Sequence, residues 1–270
     1  IHKYDAIICG DDEYTASVIK KGVSGKLKYL CKYGVGLDRI DLEAAKMFNV
    51  AVTNCPAVNQ VSVSEHVLAL LFTYQRNIHL QYNSVQEGSW RRITGNEIQG
   101  KTIGIIGLGA VGKELAKKSS ALGMRVLGFD LFKDEDFLSK YPEVSFVESL
   151  NIIYENADII SLHLPHNKET EHLINKEVIF KKLKRKPILI NTARGMLVDV
   201  KALIKGLKTK HLDGYLTDVL AHEPMLKDEV LLGLDNVIIT PHIGSRTYES
   251  VQRQGVMAVN NLLNLLKSEN

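Results

Sequence analysis

Cysteine is scarce in this chain: Cys9, Cys31 and Cys55 are the three present in 270 residues, and no two share a CxxC spacing. That argues against a disulfide framework or a thiolate metal site and fits a reducing compartment. An excess of charge of one sign is lacking too. The formal net charge is +3, too small to draw a polyanionic partner by itself. One basic run, KKLKRK at 181–186, stands just before the strand-like PILIN. It reads as the cationic end of a helix, where the dipole favours it, and not as a nucleic-acid patch. No apolar run reaches membrane-spanning length, and nothing in the opening residues reads as a signal peptide. A cytoplasmic protein with no membrane or nucleic-acid partner and no metal is expected.

Internal repeats and low-complexity linkers are missing as well. What is present is an alternation of short apolar runs with helical stretches, the mark of α/β architecture with parallel sheets. DAIIC, LKYLCKYG and VAVTN supply three strands within residues 5–54, with helical DLEAAKMF among the segments between them. From Val61 to about Tyr82 the pattern predicts one long helix. Its middle, VLALLF, is apolar nearly all round, which predicts burial on several sides, between domains or between subunits. A second series then offers six strands: TIGIIG, RVLGFD, DIISLHLP, PILIN, GYLTDV and NVIIT. The final helix, ESVQRQGVMAVNNLLNLL, is expected to pack back on the first domain.

TIGII runs into Gly107-Leu108-Gly109-Ala110-Val111-Gly112, a GxGxxG between a strand and a helix. In that setting the glycines let the backbone approach a pyrophosphate at the helix N-terminus, where free N–H groups and the dipole favour anions. The next strand ends at Asp130, placed to accept bonds from a ribose diol. A carboxylate there repels a 2′-phosphate, and no arginine follows it, so NAD is expected over NADP. Six parallel strands around this loop match a doubly wound, Rossmann-type domain.

Ligands of open α/β sheets bind beyond the carboxyl ends of the strands. Here those ends carry Thr192-Ala193-Arg194 after PILIN, Asp218 and then Glu223 after GYLTDV, and His242 after NVIIT. Each alone has an ordinary structural reading: an ion-paired arginine, a helix-start glutamate, a satisfied core histidine. Together, downstream of a dinucleotide loop, they favour chemistry.

The motifs GKTIGIIGLGAVG, HLPHNKETEHLIN, NTARGMLVD, DVLAHEP and TPHIGS, with KYGVGLDRID and PAVNQVSVSEH, resemble the D-isomer-specific 2-hydroxyacid dehydrogenase family over essentially the whole chain. The wording is closest to phosphoglycerate-dehydrogenase-like members without a C-terminal regulatory domain. The resemblance implies a substrate domain of residues 1–55 with a flavodoxin-like sheet, an NAD-binding domain of residues 56–244, and a returning C-terminal helix in residues 245–270. It implies hydride transfer between NAD and a small 2-keto or 2-hydroxy acid in a homodimer. By the same resemblance Arg194 holds the substrate, His242 is the acid/base and Glu223 orients it. His163, Pro165, Thr192, Ala193, Asp218 and Gly244 join the glycine loop around the cofactor, and the amides near Val35 and Gly36 take the substrate carboxylate. A rival of another class is an NAD(H)-sensing, corepressor-like scaffold on the same fold. Formate dehydrogenases resemble the chain less, since they carry glutamine where Glu223 stands.

Three departures bear on this. Gly10-Asp11-Asp12-Glu13 is acidic where phosphoglycerate dehydrogenases usually have a basic loop, which speaks against 3-phosphoglycerate. Ala57 stands where glycine is frequent. Two strand–helix units usually precede the equivalent of DAIIC, so about 40–60 further N-terminal residues are expected from the size of such units. Arg246, close after His242, is a candidate for tuning substrate choice.

Overall fold

The computed structural model describes residues 1–267. Strand β1 (Ala6–Cys9) leads into helix α1 (Ala16–Val23), whose Thr15 side chain caps the Val18 amide, with Lys20 and Lys21 in its last turn. Then come β2 (Tyr29–Lys32), α2 (Leu42–Met47), capped by Asp41 on the Ala44 amide, and β3 (Ala51–Thr53). The three strands form a parallel sheet in the order β1-β2-β3. Both caps satisfy amides that a helix start leaves without acceptors.

The helix expected over 61–82 is two helices, α3 (Gln60–Gln75) and α4 (Ile78–Gln86). The break falls at Asn77, which has φ +53 and whose side chain donates to the Thr94 carbonyl. The Asn96 amide donates to the Gln75 carbonyl at 2.7 Å, so the last carbonyl of α3 is satisfied from a loop further along the chain and not by a continuing turn. The apolar middle of α3 needs no partner subunit to explain it: Val67 and Leu71 are fully buried within this chain, packed with the sheet and α5 residues described next.

The remaining elements up to Gly244 are β4 (Thr102–Ile106), α5 (Ala110–Ala121), β5 (Arg125–Phe129), α6 (Glu135–Lys140), β6 (Val144–Phe146), α7 (Leu150–Asn156), β7 (Ile159–Leu162), β8 (Ile188–Asn191), α8 (Val200–Lys208), β9 (Gly214–Thr217) and β10 (Val237–Ile239). Seven parallel strands lie in the order β10-β9-β8-β7-β4-β5-β6. The seventh, β6, is an edge strand of three residues in which the exposed Ser145 interrupts the apolar run that marks the equally short β3 and β10. Apolar clusters line both faces of the sheet. The helix expected to end at KKLKRK is a single π-type turn, Val178–Lys182, closed by the Leu183 amide on the Val178 carbonyl. Two cations of the run are paired locally: Lys182 with Glu177, and Arg185 with Asp158.

Helix α9 (Tyr248–Lys267) packs on β1 and β2. Asn261 donates to the Asn54 carbonyl and Arg253 to that of Val58. The chain divides into two compact units, one of Ile1–Asn59 with the chain from Ser245 onward, the other Gln60–Gly244. Among the described residues no helix is long and apolar enough to cross a membrane.

Candidate active site

In the sheet of residues 60–244 the chain winds from β4 outward through β5 and β6, then returns to β7 and winds the other way. The crevice between the ends of β4 and β7 is therefore the switch point where such sheets bind ligands. Gly107 ends β4 there with φ +101, and a Cβ on it would come within 2.6 Å of the His163 carbonyl that follows β7. Gly112 is under a stronger constraint, since its Cβ would run into the Gly107 carbonyl. Gly109 faces open space and stands just before the first turn of α5, which Ala110 and Val111 open. The amides of that turn have no acceptor inside the helix, so the loop is a ready cradle for an anion.

Asp130 closes the loop from β5. Its Oδ2 accepts the Leu108 amide at 2.7 Å and its Oδ1 the Phe132 amide at 3.3 Å. A groove of about 600 Å³ opens beside it, lined by Leu108, Gly109, Phe132 and the side chains of residues 133–136 with Lys113. Its two ammonium groups are each paired, Lys113 with Asp134 and Lys133 with Glu135, so carboxylates dominate its field. Open amides beside a carboxylate-rich groove fit a dinucleotide with an unphosphorylated ribose.

Beyond β7, His163 bonds through Nε2 to Ser161 Oγ at 2.8 Å, and burial pushes its pKa down to about 4, leaving a neutral imidazole. Pro165 is exposed, and its carbonyl accepts the Thr170 hydroxyl.

Beyond β8, the fully buried Asn191 organises the next three residues. Its Oδ1 accepts the Ala193 amide and its Nδ2 donates to the Arg194 carbonyl at 2.8 Å. Arg194 itself donates to the Ala193 carbonyl. Thr192 Oγ1 is buried without a hydrogen-bond partner among the described residues, which suits a ligand placed against it. Gly195 lies so close to the Leu220–Ala221 peptide that any Cβ would collide with it. This contact brings the Arg194 loop against the loop after β9.

That second loop presents Glu223. Its Oε1 accepts the Leu220 amide at 2.9 Å, and its Oε2 meets His242 Nδ1 at 2.7 Å. His242 sits two residues past Thr240 with φ +53, the left-handed conformation that is uncommon for a residue with a Cβ and costs some strain. The Glu223 bond raises the His242 pKa, against a lowering by burial and by the Arg194 charge; Asp218 adds to the rise. For Glu223, burial acts upward, but the His242 and Leu220 bonds, with Arg194 nearby, hold it below the usual range. The structure thus brings Arg194, Glu223 and His242 together on one rim.

Asp218 is 2% exposed, and its carboxylate is committed to the loop that carries His242. It accepts from Thr240 Oγ1 at 2.6 Å, the Ile243 amide at 2.9 Å and the Gly244 amide at 2.7 Å. His66 Nε2 lies 2.9 Å from Thr240 Oγ1 and 3.4 Å from Asp218. Burial would raise the Asp218 pKa, but these bonds together lower it, so it is a fixed anion.

Val35 and Gly36 belong to the other unit, in the loop after β2, where Asn54 Nδ2 grips the Val35 carbonyl at 2.6 Å. In the same unit Lys32 Nζ donates to Gly10 O and Asp11 Oδ1, and Arg39 pairs with Glu13. The acidic loop is therefore partly neutralised, which its carboxylates alone did not reveal. Ala57 has φ +53, the left-handed conformation that glycine adopts without cost. Asn54, His66, Asn191 and Thr240 were not singled out from the sequence, although His66, Asn191 and Thr240 lie within the quoted motifs PAVNQVSVSEH, NTARGMLVD and TPHIGS.

The family model for the D-isomer specific 2-hydroxyacid dehydrogenase NAD binding domain matches residues 68–244. A glyoxylate reductase of Thermofilum pendens is 37% identical over 276 residues, covering 100% of this chain and 80% of that protein. A D-3-phosphoglycerate dehydrogenase of Methanocaldococcus jannaschii is 36% identical over 265 residues, 97% of this chain but only 50% of that longer protein. Among solved structures, D-lactate dehydrogenase from Aquifex aeolicus, complexed with NAD and lactic acid, superposes with a TM-score of 0.87 at 33% identity, covering 99% of this chain and 84% of that one. Residues 68–244 are an NAD-binding domain.

Proposed function

From the fact that this chain belongs to the D-isomer specific 2-hydroxyacid dehydrogenase family, we propose that it interconverts a small D-2-hydroxy acid and its 2-keto acid with NAD(H). The observation that carries the reading is the 2.7 Å bond between His242 and Glu223 beside Arg194. The glycine loop and Asp130 would hold the dinucleotide, whose nicotinamide supplies or accepts the hydride. His242 does the proton half of the reaction. Glu223 occupies Nδ1, so the proton on Nε2 is the one given to the carbonyl oxygen as it becomes a hydroxyl, and the neutral ring takes it back in the reverse direction. The raised pKa keeps the ring charged further toward neutral pH, where reduction needs it. Arg194 supplies positive charge for the substrate carboxylate and for the oxygen that gains electrons. Asp218 acts through the loop it holds. The assignment of the Val35 and Gly36 amides to the carboxylate belongs to the same proposal and is supported by the grip of Asn54 on that peptide.

The substrate is an unphosphorylated acid. Lys32, the buried cation beside the Gly10–Glu13 loop, is already held by Asp11 and Gly10 and is not available to a phosphate. A homodimer is also proposed, now resting on α4 and not on α3: Ile78, Leu80, Tyr82 and Val85 are exposed, and α4 has no buried residue. Light scattering at micromolar concentration reads the mass directly.

The test of function is a panel of glyoxylate, hydroxypyruvate, pyruvate and 2-ketoisocaproate with NADH and NADPH, beside 3-phosphoglycerate with NAD. Turnover of one 2-keto acid with NADH preferred is expected. NADH binding with no turnover anywhere would point to the scaffold reading instead.

A further inference from the structure

We infer that His66 is a positioning residue for the catalytic loop: its Nε2–H, donated to Thr240 Oγ1 beside the buried Asp218 carboxylate, fixes the turn that holds His242 against Glu223. The inference rests on the reading of His242 as the acid/base.

Proton accounting sets the direction of the bonds. Asp218 is an anion and can only accept. Thr240 has one hydroxyl proton, and the 2.6 Å contact with Asp218 Oδ1 claims it. The 2.9 Å contact between Thr240 Oγ1 and His66 must then be a donation from Nε2, which fixes that proton on the ring. The chain of bonds runs from α3 through His66 and Thr240 to Asp218, and from Asp218 to the amides of Ile243 and Gly244. Residues 240, 243 and 244 flank His242 on both sides, so the network grips the turn at its two ends.

The turn needs that grip. His242 has φ +53, and its ring reaches Glu223 from that conformation. Its amide bonds only two residues back, to the Thr240 carbonyl at 3.0 Å, a weak tether for a strained residue. The packing is close as well: a Cβ on Gly244 would lie 3.0 Å from Asp218 Oδ2 and 3.5 Å from His66 Cδ2. Removing His66 leaves Thr240 Oγ1, which bonds a carboxylate that is 2% exposed, without its donor, and a partly buried hydroxyl short of a partner seeks another by local rearrangement. The group that suffers is the loop holding His242.

The test uses three substitutions in the full chain. His66→Gln places an amide nitrogen near the Nε2 position and keeps the donor. His66→Asn keeps a donor but sets it too short. His66→Leu removes it. On the substrate found in the panel, His66→Gln should keep kcat within about threefold, while His66→Asn and His66→Leu lose about tenfold, the scale of one partly buried hydrogen bond. The KM for NADH should move little. A readout independent of turnover is the NMR titration of the His242 ring, assigned with His242→Gln, whose charged neighbours are Glu223, Asp218 and Arg194. In the wild type and His66→Gln it should titrate above 6.5; in His66→Asn and His66→Leu it should fall toward that ordinary value. Equal titration and equal kcat in the Gln, Asn and Leu variants would overturn the inference. If no 2-keto acid is turned over, the proposed reaction fails, and the titration still decides on His66.

Discussion

The glycine loop after β4 is shaped by side chains that are missing, whereas the rim after β8, β9 and β10 is shaped by side chains that converge. At Gly107 and Gly112 a single added carbon meets backbone, so the loop tolerates nothing there. At the rim, by contrast, Arg194, Glu223 and His242 come from three separate strand ends. They stand together because Asn191 holds the Arg194 loop, Asp218 and Thr240 hold the His242 loop, and Glu223 bonds His242 directly. The loop's requirement is local and steric; the rim's is long-range and electrostatic. A change in the loop should therefore register in folding and cofactor affinity together, and a change at the rim in turnover with the fold intact.

His242→Ala should show the rim's side of that contrast most strongly. Turnover should fall by about 10²–10⁴-fold, the range for a positioned acid/base. NADH affinity and thermal midpoint should change little, as titration calorimetry and a thermal melt would report. Near-normal kcat would remove His242 from the mechanism.

The loop separates two glycines that look alike in the sequence. Gly112→Ala forces a Cβ into the Gly107 carbonyl and should cost about 1–3 kcal/mol of stability, as overpacking does, along with a weaker NADH isotherm. Gly109→Ala has open space at its Cβ and should stay within about 0.5 kcal/mol of wild type in stability while still weakening NADH. Equal losses of stability in the two would contradict the steric account.

How legible each region was follows from the same contrast. GxGxxG is read from its place between a strand and a helix, and Asp130 and the parallel architecture from the same local pattern, because each depends on residues close in the chain. The motif residues at the strand ends were legible only as a set, since each alone has an ordinary structural reading. Their support was not: His66 stands far from Thr240 in sequence, and nothing in SEH or ILIN announces which carbonyl or carboxylate the side chain will find. The break at Asn77 was hidden for a like reason. It depends on the Asn96 amide taking the Gln75 carbonyl, a partner outside any window of helical periodicity. Strand β6 was missed because the exposed Ser145 interrupts it, so it lacks the apolar run that marked the equally short β3 and β10.

The smallest expected effect lies in the other unit. Ala57 holds φ +53, which costs an L-residue about 1 kcal/mol. Ala57→Gly should raise stability by up to about that amount, less the entropy glycine adds to the unfolded chain, and should leave turnover unchanged. A lower thermal midpoint would show that this turn is not strained.

The central claim, that Glu223 sets the proton chemistry of His242, is tested most directly by the pH dependence of kcat/KM for reduction in the wild type and in Glu223→Gln. Reduction needs the imidazolium, so activity is lost as pH rises through the His242 pKa. Glu223 raises that pKa, which places the falling limb above 6.5 in the wild type. Glu223→Gln removes the carboxylate charge that stabilises the imidazolium, and its limb should move toward acid. A limb that stays where the wild type has it would contradict the account.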